Sequence, residues 1–191
     1  MSRRGQIIVV VAILLMVVLL LLAVAVDVGR LFIERGRLDR AAQAAADAGV
    51  GVVAEHMVTL AIPRLTEGAA RQACLPDAGY GTPGALCTAT PSPNRAEQWL
   101  TDADRAELVA GPVQTAAAAE AFAYAVANGV APGSAGVTSV GVTYPEGYNL
   151  QGPTLKMRVS VRAALDFLFG GLLGREDVDL GIEALSEVRQ R

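Results

Sequence analysis

The stretch AVDVGRLFIERGRLDRAAQAAADA, residues 25–48, follows a long apolar run without a turn signal between them. The run, residues 7–26, reads IIVVVAILLMVVLLLLAVAV and contains no charged residue, glycine, proline or hydroxyl group. As a helix it spans about 30 Å, the thickness of the hydrocarbon core of a bilayer. Leu, Ile and Val make up most of it, and each favours insertion by about 0.3–0.6 kcal/mol at the membrane centre. The run therefore predicts a transmembrane helix or a signal sequence.

The charged stretch behind the run predicts a continuation of the same helix. No proline occurs from Asp27 to Met57, and Pro63 is expected to end the helical region. Apolar residues recur at spacings of three, four and seven, and the small ones among them allow a second helix to approach closely. This Ala/Gly stripe consists of Leu31, Leu38, Ala42, Ala45, Gly49 and Val52.

Residues 3–54 resemble a known family. The head RRGQ, the apolar run and the stretch AVDVGRLFIERGRLDRAAQAAADAG are similar to the N-terminal module of the TadE/TadG-like proteins of tight-adherence (Tad, Flp-type) pilus assembly. The resemblance implies a structural protein of pilus assembly or secretion that packs against partner subunits through its helix. The residues singled out for helix packing or assembly are Asp27, Gly29, Arg30, Leu38, Ala42, Ala45, Asp47 and Gly49.

The family is related in architecture to type IV pilins, which are processed before assembly. In pilins a peptidase cuts after a glycine, and a glutamate close to the new N-terminus guides the subunit into the filament. The resemblance makes Gly5–Gln6 a candidate cleavage position, but Val10 stands where that glutamate would be. This departure favours an anchored assembly component over a major pilin, while filament membership and homo-oligomerisation stay open.

The charges that flank the run bear on its orientation. Arg3 and Arg4 favour a cytoplasmic N-terminus, although Arg30 and Arg35 follow the run closely. The expected location is the bacterial cytoplasmic membrane, crossed once, with the domain outside. The alternative is a secreted, soluble binding module with a disulfide, released by signal-peptide cleavage near Ala25. Cleavage is disfavoured because the run is long for a signal peptide and nothing breaks the helix before the cut.

Two cysteines, Cys74 and Cys87, flank a loop rich in glycine and proline. In an exported domain they predict a disulfide, which would contribute roughly 3 kcal/mol in the chain-entropy model. In a reducing compartment they would stay thiols.

The second half of the chain changes from helical to alternating periodicity. Asn94 and Glu97 form a candidate capping box for a helix through Val109, and a second helix follows Gly111–Pro112. Three alternating segments, at residues 137–144, 154–163 and 177–188, then predict an antiparallel sheet. One face of each segment is apolar, and the basic outer face of the second strand matches the acidic outer face of the third.

The predicted fold class is α+β with a pilin-like plan: a long N-terminal transmembrane helix with an extramembrane extension, further helices, and a small three-stranded antiparallel sheet. The apolar connection at residues 167–173 is expected to close the core rather than to form a patch for a partner or a membrane surface. The predicted segments are a cytoplasmic head at 1–6, the transmembrane helix at 7–26, the Ala-rich helix at 27–57 and an extracytoplasmic domain at 58–191.

The sequence carries no recognisable catalytic or cofactor motif. The one histidine, His56, has no nucleophile signature beside it, and we expect it on the surface. No phosphate-binding or dinucleotide-binding glycine motif is present, and the net charge of −3 does not suit a nucleic-acid surface. We therefore expect a non-enzymatic protein without cofactor or metal, whose partners are the lipid bilayer and other pilus or secretion subunits.

Overall fold

One continuous helix dominates the fold. In the computed structural model, α1 runs from Arg3–Ala73, and its 71 residues make it about 105 Å long. The structure describes residues 3–73, 100–134, 136–147, 155–169, 174 and 177–188, with side chains in α1 described from residue 8 to residue 64. The predicted disulfide of Cys74 and Cys87 and the predicted capping box of Asn94 and Glu97 lie outside the described residues.

The predicted end of the long helix at Pro63 is wrong, because α1 continues through this proline to Ala73. A proline inside a helix removes one hydrogen bond and strains the preceding turn. Tertiary contacts hold the helix close to this point. Ala61 is fully buried, and the guanidinium of Arg64 forms an ion pair with the carboxylate of Asp104. A proline therefore does not mark the helix end where neighbouring elements support the adjacent turns.

A short helix, α2, spans Asp102–Leu108 and starts at a capping box that sequence reasoning missed. The Asp104 N–H donates to the Thr101 hydroxyl at 3.3 Å, and the Thr101 N–H donates to the Asp104 carboxylate at 2.7 Å. Leu100 and Thr101 are not helical, so the predicted helix through Val109 is wrong at these two residues, and its predicted start lies outside the described residues. The next helix, α3, spans Gly111–Ala127, so it begins at Gly111–Pro112 rather than after them as predicted, with Pro112 in its first turn.

The sheet is the predicted three-stranded antiparallel one, with the order β1–β2–β3. The strands are β1 at Val137–Thr143, β2 at Lys156–Asp166 and β3 at Asp177–Glu187. The predicted α+β class is therefore confirmed. The register places Val161 of β2 opposite Val140 of β1 and Ile182 of β3, so the three apolar faces form one surface.

The core lies between that surface and a layer made of α1 and α3. Both helices contribute mainly alanine to it, which lets the two backbones come close together. The sheet contributes larger side chains, among them Met157 and Val159, which are fully buried. The buried apolar residues that α1 contributes to this core are Leu38, Ala41, Ala42, Ala45, Ala46, Val50, Val53, Met57 and Ala61.

Opposite charges pair on the outer face of the sheet, as the alternation predicted. The closest approach between Arg158 and Glu183 is 3.2 Å, and their side chains are 41% and 66% exposed. Exposed pairs of this kind contribute little, because water screens them and the side chains lose freedom. A double-mutant cycle of Arg158→Ala and Glu183→Ala is expected to give a coupling of about 0.2–1 kcal/mol in unfolding free energy, which falls in high salt. A salt-independent coupling above about 2 kcal/mol would contradict this assignment.

Candidate functional site at the exit of the apolar run

Asp27, the first charged residue after the apolar run, is almost completely buried, with 6% of its surface exposed. Its two carboxylate oxygens accept the backbone N–H groups of Leu168 and Phe169, each at 3.0 Å. These amides belong to the turn that leaves β2 after Asp166. Hydrogen bonds to a charged acceptor are stronger than those between neutral groups. Asp27 therefore ties the end of the sheet to the helix one residue beyond the apolar run.

A cavity of about 380 Å³ lies beside this contact, between α1 and the end of β2. Its lining is mixed in charge, with Arg30, Glu34 and Asp166 beside Asp27. It has no nucleophile with an adjacent base, and the described residues contain no group of three or more His, Cys, Asp or Glu that could hold a metal ion. The described lining residues suit contact with a polar group. The remaining lining residues are Leu31, Gly136, Ala164, Leu165, Phe167 and Leu168.

Gly136 shapes the wall of this cavity, and its backbone requires glycine. Its φ of +79° lies in the left-handed region, where side chains are strained. A Cβ at this position would also collide with the carbonyl oxygen of Ala164. The Gly136 carbonyl in turn accepts the Ala164 N–H at 2.8 Å, which holds the start of β1 against the end of β2.

Four of the six residues of the predicted Ala/Gly stripe are buried within the chain itself, and Leu31 and Val52 are half-buried. Leu38, Ala42 and Ala45 are at most 2% exposed, and they pack in the core against α3 and the sheet. The sequence predicted that small residues on α1 receive another helix, and that helix is α3 of the same chain. Packing of the stripe against a separate protein would require α1 to leave its own domain.

Gly49 marks the closest approach of α1 to its neighbours. A Cβ built on Gly49 would lie 2.8 Å from the carbonyl oxygen of Ala117 in α3 and 2.7 Å from Cε of Met157 in β2. Neither distance is compatible with van der Waals contact. The position therefore admits only glycine without displacement of α3 or β2.

The remaining predicted site residues have separate surroundings. Asp47 is exposed and accepts hydrogen bonds from Gln43 at 3.0 Å and from Ser186 of β3 at 2.5 Å. Arg30 is exposed at the edge of the cavity, and a Cβ on Gly29 would meet nothing within 4 Å. The structure thus brings Asp27 and Arg30 together at the exit of the run and leaves Asp47 further along α1.

His56, expected to be a solvated surface residue, is half-buried and has a specific partner. Its Nε2 lies 3.1 Å from Oε1 of Glu107 in α2. The contact joins α1 to α2 on the side where Arg64 pairs with Asp104. No sequence motif links these residues, because the pairing arises from the antiparallel placement of distant segments.

The predicted burial of the connection after β2 is wrong for two of its residues. Phe167 is half-buried, but Leu168 and Phe169 are 62% and 41% exposed. The remaining residues of the predicted apolar connection, 170–173, lie outside the described residues. Asp27 holds the backbone of the two exposed residues, and their side chains point away from the core.

The N-terminal part of the chain is similar to a known protein family. Residues 5–61 match the family model described as putative Flp pilus-assembly TadE/G-like. Searches among curated proteins and among solved structures found no match. The matched residues lie in α1, and they include the apolar run, Asp27 and the Ala/Gly stripe. Residues 5–61 of this chain are therefore similar to the TadE/G-like proteins of Flp pilus assembly.

Proposed function

We propose that this chain is a single-pass structural protein of the bacterial cytoplasmic membrane that serves Flp-type pilus assembly or an associated secretion apparatus. Its N-terminus lies inside the cell and its α+β domain outside. The family match over residues 5–61 carries this proposal. The exposure of the apolar run supports its assignment as a membrane anchor. The large apolar side chains of residues 8–22 are 45–73% exposed, which an aqueous environment would strongly disfavour.

The position of Asp27 argues against release of the domain by cleavage near Ala25. A cut after Ala25 would leave Asp27 as the second residue of the new chain. Terminal residues of helices fray, because their backbone groups lack partners. The two hydrogen bonds that hold Leu168 and Phe169 would then depend on a frayed end. An intact α1 through the membrane keeps the carboxylate in place.

Assembly in this proposal uses surfaces that the chain leaves open, because its own core occupies the Ala/Gly stripe. One such surface is the apolar run itself, where partner helices within the bilayer can pack. A second is the outer side of α3, where Phe122 and Val126 lie one helical turn apart and are 40% and 43% exposed. The domain then acts as a rigid block that contacts other subunits through the outer side of α3.

The first test is the intact mass of the protein recovered from the membrane fraction of its native host. We expect the full 19.8 kDa chain, or one that lacks only its initiator methionine. A chain beginning at Gln6 would indicate prepilin-type processing and a minor pilin despite Val10. A soluble chain beginning at Val26 would refute the anchor and favour a secreted module.

The second test addresses assembly. A photo-crosslinking amino acid at Phe122 or at Val18 in the apolar run is expected to form adducts with a subunit of the pilus-assembly apparatus. The same probe at Glu183, exposed on the outer face of the sheet, is the matched control and should give fewer adducts. Equal labelling at all three positions, or no adduct with such a subunit, would contradict the assembly role. Neither result would contradict the membrane anchor.

A further inference from the structure

Two large apolar side chains lie on the outside of the domain at the level where the apolar run ends. The backbone amides of Leu168 and Phe169 are bonded to Asp27, which follows the last apolar residue of the run, Val26. Their side chains are 62% and 41% exposed. In the anchored topology, this height is the boundary between hydrocarbon and headgroups.

The helix itself exposes apolar side chains at nearly the same height. Val28, Phe32 and Ile33 are 43%, 66% and 70% exposed. Phe32 lies only about 9 Å beyond Val26 along the axis, and helical side chains tilt back toward the N-terminus, here toward the membrane. The headgroup layer on each side of a bilayer is about 5–8 Å thick. These side chains therefore reach the same interfacial layer as Leu168 and Phe169.

The arrangement of these residues around the axis indicates what covers them. At about 100° per residue, Val28, Phe32 and Ile33 point to the sides of α1 away from Asp27. Leu168 and Phe169 lie on the Asp27 side, so exposed apolar groups surround the helix at this height. A protein partner covers one side of a helix, whereas a bilayer surface surrounds it. These exposed apolar residues also follow directly on the exposed apolar run, which lies within the bilayer in the anchored topology.

We propose that the domain rests directly on the lipid surface, with Leu168 and Phe169 inserted into the interface beside the anchor helix. Asp27 acts as the positioning residue, because its carboxylate holds the two backbone amides against α1. Arg30, exposed one turn further on, can extend its apolar stem along the interface and keep its guanidinium among the headgroups. This contact rests on the anchored topology proposed above, and it fixes the height of the domain over the membrane.

Quenching of tryptophan fluorescence by brominated lipid tests the contact in the full chain. The one native tryptophan, Trp99, is replaced by phenylalanine, and the chain is reconstituted in phosphatidylcholine vesicles with bromine on the acyl chains. Single tryptophans are then introduced by Phe169→Trp, Leu15→Trp and Tyr124→Trp. Tyr124 is 47% exposed on α3, opposite the part of α1 between Arg37 and Gly49. That part begins about 15 Å beyond Asp27.

We expect Phe169→Trp and Leu15→Trp to lose most of their fluorescence in brominated vesicles and Tyr124→Trp to keep it. Bromine close to the headgroups should quench Phe169→Trp more than bromine deep in the chains, with the reverse order for Leu15→Trp. Quenching of Leu15→Trp alone would overturn the lipid contact and leave the anchor intact. Loss of quenching at both positions would overturn both proposals, and equal quenching of Tyr124→Trp would refute a contact confined to this turn.

Discussion

Replacement of Gly49 by alanine is expected to destabilise the domain, although alanine is the better helix former. The added Cβ would lie 2.8 Å from the Ala117 carbonyl oxygen, which belongs to the backbone of α3 and cannot turn aside. Overpacking of this kind costs about 1–3 kcal/mol. The gain in helix propensity of about 1 kcal/mol offsets part of this cost, so we expect a net loss of up to about 2 kcal/mol. Unfolding of the full chain in detergent micelles, followed by hydrogen exchange of the β2 amides, measures the change.

Gly51 is the matched control on the same helix. It is exposed, and a Cβ on it would meet nothing within 4 Å. Gly51→Ala should therefore stabilise the domain by about 0.5–1 kcal/mol through the loss of backbone entropy in the unfolded chain. The two alanine substitutions are predicted to have opposite signs. Stabilisation by both would mean that α1 and α3 do not pack closely at Gly49.

Replacement of Asp27 by alanine is expected to release the turn after β2 while the sheet stays folded. The change leaves the Leu168 and Phe169 amides without their acceptor. A hydrogen bond to a charged group contributes about 1.5–3 kcal/mol, which corresponds to a loss of amide protection of about 10-fold to 150-fold. Hydrogen exchange of these two amides, measured by NMR on the full chain in lipid nanodiscs, reports the effect. The amides of Val159 and Val161 in β2 should change little.

Two further variants separate this contact from a general effect of charge on α1. Asp27→Asn retains one acceptor oxygen, so we expect a smaller loss of protection than in Asp27→Ala. Asp39→Ala removes an exposed carboxylate from the same helix and should leave both amides unchanged. Unaltered protection in Asp27→Ala would show that the carboxylate does not hold the turn.

The helices and strands that depend on local sequence patterns could be predicted from the sequence. An uncharged run of this length predicts a membrane segment or a signal sequence. The alternation after residue 136 predicts strands with one solvent-exposed and one buried face. The antiparallel pairing of β2 with β3 also followed, because opposite charges pair across neighbouring strands. The register did not, since only the folded sheet shows it. The helix through Pro63 did not follow, since its support comes from Ala61 and Arg64 in their tertiary contacts.

For this protein, the sequence by itself determined the apolar run, the long helix behind it, the strand faces and the family that its N-terminal part resembles. Only the tertiary structure decided which surface of that helix is used within the chain. The spacing of small residues predicts close helix packing, but it does not indicate which helix packs there. In the folded chain, α3 packs against the stripe. From the sequence alone, Asp27 is only a charged residue at a predicted membrane boundary. Its partners lie 141 and 142 residues away, and only the folded sheet brings their amides to it.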